Sequence, residues 1–84
     1  MTVAERFAAN LVRLRKAADL SQEELAAMAS IHRTEISQLE RGLRTPRIDT
    51  LAKLAGSLHV SADTMLDGIE WTPGTIYLGH FADP

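Results

Sequence analysis

The sequence predicts an all-α fold in which five short helices occupy residues 1–67 and a short extended or β arm follows over residues 68–84. Three observations carry that reading. Thr2 with Glu5 and Ser21 with Glu24 are capping boxes, in which a hydroxyl and a carboxylate satisfy amides that a first helical turn leaves unpaired. Apolar residues recur at i, i+3 and i+4 through the segments that follow. From Gly68 onward that period is lost, and Gly and Pro punctuate a stretch holding three of the four aromatics.

Helix 1 is expected from about Val3 to Ala18, burying Phe7, Leu11, Leu14 and Ala18 and leaving Arg6, Asn10 and Arg13 off the stripe. Helix 2 starts at Gln22, with Leu25, Met28 and Ala29 inward and Glu23, Glu24 and Ala27 outward. Ala26 and Ala29 are small enough for a second helix to approach closely. Ser30 and Ile31 make a tight turn, with Ile31 pointing inward. Helix 3 runs from about Arg33 to Arg41, burying Ile36 and Leu39, and Gly42 supplies positive φ beyond its end. After the loop ending near Pro46, helix 4 spans Ile48 to Leu58 and buries Leu51, Leu54, Ala55 and Leu58; helix 5 follows the Ser61 cap over Ala62 to Leu66. In the arm, Ile69 to Thr72 reads as extended chain, Pro73-Gly74 as a turn and Thr75 to Leu78 as a short strand. An isolated hairpin is marginal in water, so these apolar side chains need a surface. They either fold back on helices 1 and 5 or pack against a second subunit, and the second subunit is the favoured reading.

Helices 2 and 3 with their tight turn have the spacing of a helix-turn-helix. The free face of helix 3 shows Arg33, Thr34, Ser37 and Gln38. Such side chains suit the donor and acceptor code of base edges in the major groove, and residues at the start of the second helix are the ones that reach them.

These residues resemble the phage-repressor and Cro-like (Xre-type) helix-turn-helix regulators of bacteria and phages, with their lambda-repressor-like five-helix domain. The likeness rests on LSQEELA at 20–26, IxxLERG at 36–42, Thr45-Pro46, and TLxKLAxxLxVSxDxML from Thr50 to Leu66, and covers roughly residues 5–68. It implies that Arg33, Thr34 and Gln38 occupy base-reading positions. It also implies that Gln22 binds a DNA phosphate at a helix N-terminus, where amide dipoles favour an anion. Arg41, Arg44 and Arg47 fall around the loop that contacts phosphates, and Arg15 and Glu40 stand where a buried ion pair joins helix 1 to the recognition helix. Helix 5 is a frequent dimer surface in such proteins, which Met65, Leu66, Ile69 and Trp71 would extend, with Ile76, Tyr77 and Leu78 of the arm. Three positions depart from the pattern: Ser30 and His59 where Gly is usual, and His32 where Ser or Thr normally caps the recognition helix. Ser and His bear positive φ at greater cost than Gly.

Composition narrows the function classes. Among 84 residues there is no cysteine, hence no disulfide framework and no thiolate for metal or catalysis. His32, His59 and His80 are too dispersed for a metal-ligand pattern, no phosphate loop or nucleophile constellation is visible, and Glu23 and Glu24 diverge on a helix surface. No enzymatic activity, catalytic residue, metal or cofactor is expected. No apolar run approaches the roughly 18 residues that span a bilayer, so the expectation is a cytoplasmic protein, bacterial or phage-encoded, without a membrane partner. The net charge of −2 hides an asymmetry: residues 1–48 hold eight of nine Lys and Arg against six acids, residues 49–84 one against five. Basic surface is therefore local, which implies modest non-specific affinity for DNA. Arg13 and Lys16 serve equally as phosphate contacts or as solvated charge. The expected function is a sequence-specific transcriptional regulator, a homodimeric repressor or autoregulator on a palindromic double-stranded operator. The alternative from another class is a protein-interaction module with a protein partner, such as an antitoxin of a toxin-antitoxin pair.

Overall fold

Four helices of this chain end in the same way, and those four ends set the course of the backbone. The computed structural model describes residues 1–82 and contains α1 (Val3–Ala17), α2 (Gln22–Ala29), α3 (Arg33–Glu40), α4 (Ile48–Leu58) and α5 (Ala62–Met65), then β1 (Trp71–Thr72) and β2 (His80–Phe81). At each of the first four C-termini one residue turns left-handed: Asp19 (φ 57°), Ser30 (56°), Gly42 (71°) and His59 (55°). The next amide then bonds back to the last turn, as Leu20 N–H to Arg15 O, Ile31 to Ala26, Leu43 to Gln38 and Val60 to Ala55. This is the Schellman arrangement, in which otherwise orphaned helix carbonyls are satisfied and the residue after the turn is apolar. Leu20, Ile31 and Val60 use that geometry to pack against the core. Gly42 needs its missing side chain twice over, because a Cβ there would also stand 3.1 Å from Glu5 Cγ and 3.3 Å from Glu5 Cα.

Both capping boxes form as the sequence predicts, with Thr2 and Ser21 accepting from the amides of Glu5 and Glu24 while those carboxylates accept from the cap amides. The exposed carboxyls of Glu5 and Glu24 lie below the usual carboxylate range, chiefly through those backbone hydrogen bonds. α1 packs on α3 and α5, and α2 packs on α3 and α4. Between them lie Phe7, Leu11, Leu25, Ile36, Leu39, Leu54 and Met65, all fully buried, each contributing about 1.5–3 kcal/mol relative to exposure. No helix among the described residues is long and apolar enough to cross a membrane.

The structure corrects the expected core at several points. Ala18 lies beyond the end of α1 and is exposed, and Met28 is half-exposed at the outer edge of the α2–α4 contact. Asn10, expected off the stripe, is buried: its Nδ2 donates to Met65 O at 3.0 Å and Asp67 O at 2.8 Å. One amide thus fastens α5 and the chain after it to α1.

In the arm, the expected strand at Thr75–Leu78 is a bend. Ile76 (φ 46°) and Tyr77 (φ 63°) are both left-handed, which no strand allows. The strand partner lies further on, Trp71 pairing with Phe81 and Thr72 with His80, antiparallel. Trp71 and Phe81 meet edge to face with centroids 5.0 Å apart. The indole also lies so close to Gly79 that a Cβ there would be 2.3 Å from Trp71 Cζ2. Phe81 and Ala82 reach back to line a cleft with Met1, Val3, Arg6 and Ile69. Ile76, Tyr77 and Leu78 stay exposed. The end of the hairpin thus lies beside the start of α1, and its tip does not. The expected arm extended to residue 84, and its last two positions lie outside the described residues.

Candidate nucleic-acid interface

α3 presents its polar face because its opposite face is committed. Ile36 and Leu39 are fully buried, whereas Arg33 and Thr34 are exposed and Ser37 and Gln38 half-buried. Positions i, i+1, i+4 and i+5 of one helix form two adjacent ridges, so these four side chains share a single surface. His32 stands at the N-cap in extended geometry and makes no side-chain capping bond, leaving the first-turn amides of α3 without a local acceptor from that residue.

The helix is held from behind at two points. Arg15 Nε and Nη2 meet Glu40 Oε2 and Oε1 at 2.5 and 2.9 Å, a bidentate pair with side-chain exposures of only 12% and 5%. Arg15 Nη1 also donates to Leu20 O at 2.8 Å, and Gln22 Nε2 to Glu40 Oε1 at 3.1 Å. α1, α2 and α3 are thus joined through one carboxylate. Burial by itself would raise the Glu40 pKa, but hydrogen bonds from Arg15 and Gln22 and the nearby positive charges outweigh it and hold the carboxyl below its usual range. The Arg15 guanidinium is correspondingly raised, chiefly by its hydrogen bond to Glu40. The second tether joins Thr50 Oγ1 to Glu35 Oε2 at 3.2 Å, tying α3 to α4. Local spacing does not signal this tether; its trace is a buried Thr at the start of α4.

The expected phosphate-binding residues fall at the edges of this surface. Arg41, Arg44 and Arg47 are all exposed. Arg47 lies 3.5 Å from Asp49, an exposed pair that offsets part of its charge and contributes about 0–1 kcal/mol. Arg44 Nη1 donates to Gln38 Oε1 at 3.3 Å. Gln22 sits in the first turn of α2, with one of its amide hydrogens directed inward to Glu40. Arg13 lies 4.0 Å from Asp67, so an acid shares its surroundings.

Of the expected dimer residues, Met65 is corrected. It is fully buried in the core, because the Asn10 clasp and α4 hold the short α5 with that side chain inward. Ile69 is partly buried against the same core. Leu66, Trp71, Ile76, Tyr77 and Leu78 are exposed.

The family model HTH_3, helix-turn-helix, matches residues 11–65. The chain is similar to the uncharacterized HTH-type transcriptional regulator y4dJ of Sinorhizobium fredii, 36% identical over 73 residues that span 87% of this chain and 95% of the relative. Control protein C.BamHI of Bacillus amyloliquefaciens is 41% identical over 56 residues, 67% of this chain and 68% of that protein. The fold superposes on the restriction-modification controller protein C.AhdI from Aeromonas hydrophila with a TM-score of 0.72 at 32% identity, covering 74% of this chain and 94% of that one.

Proposed function

Because the chain belongs to the HTH_3 helix-turn-helix family of DNA-binding transcriptional regulators, we propose that it is a dimeric repressor or autoregulator that occupies a palindromic operator and catalyses nothing. In this reading residues 1–67 are the DNA-binding unit and residues 68–84 the dimerisation arm. α3 enters the major groove; Arg33, Thr34, Ser37 and Gln38 read bases, while Gln22, Arg41, Arg44 and Arg47 hold phosphates. The observation that carries it is the four polar side chains on the free face of a helix whose other face is fully buried and doubly tethered. Tethering matters because base contacts specify only when the backbone presenting them is fixed. One such helix reads few base pairs, and two related by symmetry read half-sites about 34 Å apart.

Selection of bound duplexes from random DNA tests the assignment. Enrichment of a palindrome with half-sites one turn apart supports it; no enrichment turns the reading toward a protein-interaction module. On the selected site, Arg33→Ala is expected to cost about 1–3 kcal/mol and to relax preference at one base pair, as for loss of a bidentate guanine contact. Equal loss on every sequence would count against base reading by Arg33.

Leu66, Trp71, Ile76, Tyr77 and Leu78 support the dimer, since they leave apolar surface uncovered on one protomer. A chain ending at Asp67 is expected to sediment as a monomer at micromolar concentration and to lose affinity for the palindrome. A truncated protein that remains dimeric would exclude the arm as the interface.

A further inference from the structure

Arg44 is placed to do more than supply charge. The left-handed turn at Gly42, with Leu43 N–H bonded back to Gln38 O, reverses the chain beside the last turn of α3. Arg44 thereby reaches the side chain of Gln38, its Nη1 donating to Oε1 at 3.3 Å. A glutamine amide offers one carbonyl acceptor and an NH₂ with two donors. Matching adenine in the major groove uses both ends, the carbonyl accepting from N6 and the NH₂ donating to N7, whereas guanine shows two acceptors, O6 and N7. A guanidinium on the Gln38 carbonyl occupies one of that oxygen's two lone pairs and sets a positive charge beside it, which disfavours approach of an adenine amine and leaves the NH₂ as the unengaged end of the amide. Gln38 and Arg44 together then present N–H groups. Glu35, the neighbouring acid of α3, accepts from Thr50 and forms no ion pair with Arg44 among the described residues.

We propose that Arg44 is a positioning residue for Gln38, setting it as a hydrogen-bond donor so that the base pair facing Gln38 is read as guanine in preference to adenine. The proposal rests on the reading of α3 as the base-contacting helix. Its test is selection from random duplexes with the full chain and three variants, Gln38→Ala, Arg44→Ala and the two combined. The unsubstituted protein is expected to enrich guanine over adenine at one position of each half-site, and Gln38→Ala to erase that preference. Arg44→Ala is expected to lower affinity for all sequences and, in addition, to shift the same position toward adenine by about tenfold, the scale of a good bidentate contact. The combined variant is expected to show no preference there. Retention of guanine by Arg44→Ala, or a loss spread evenly over all four bases, would overturn the positioning role while leaving the operator reading intact. If the unsubstituted protein enriches no sequence, base reading by α3 falls, and this proposal with it.

Discussion

Replacing Glu40 with Ala is expected to lower folding stability by about 3–5 kcal/mol, measured by urea unfolding, because it strands the buried Arg15 guanidinium without a counter-charge. Small domains hold roughly 5–15 kcal/mol in all, so much of the population would unfold on mild warming. Arg15→Ala is expected to do similar harm from the other side. Arg15→Met combined with Glu40→Leu is expected to recover most of the loss, since an apolar pair carries no desolvation penalty. If the double variant is as unstable as either single one, the stranded charge is not the cause. The same carboxylate gives a pH signature. Its folded pKa is depressed, so its stabilisation is fully present above the ordinary carboxylate range and is lost as pH falls through the folded value. In the Arg15→Met, Glu40→Leu protein this acid-side loss is expected to shrink.

Asn10→Ala is expected to cost about 2–4 kcal/mol, because two main-chain acceptors at the end of α5 lose their donor at once. Hydrogen exchange locates the damage. Protection is expected to fall first at Leu66 and Ile69, whose amides close the turns there, while α2 and α3 stay protected. Since the arm follows immediately, dimer affinity should weaken with it. Uniform loss of protection across all helices would show that Asn10 supports the core in general and does not act as a local clasp.

What the sequence made legible was local chemistry with a short reach. The capping boxes and the apolar pair Ile36 and Leu39 appear as expected, while the Arg15–Glu40 pair, 25 positions apart, was implied by the family resemblance and not by local spacing. Asn10 escaped because a polar residue three positions after Phe7 reads as a face boundary, and only the carbonyls of Met65 and Asp67, far along the chain, make it a core residue. Met28 failed for a related reason: α2 has eight residues, and α4 covers only part of its apolar stripe. Thr75–Leu78 had strand-like composition, but β-propensity reports fit to a neighbouring surface, and here the paired segments lie to either side of it. Thr50 and Arg44 became site residues only when folding set them beside Glu35 and Gln38.

The left-handed joint at Ser30 has a thermal consequence. A residue bearing a side chain sits roughly 1–2 kcal/mol above glycine's ease in that conformation, so the elbow between the supporting and reading helices is loaded even at rest. Asp19 and His59 hold the same conformation, so a margin of heat tolerance lies open at three backbone angles of the scaffold.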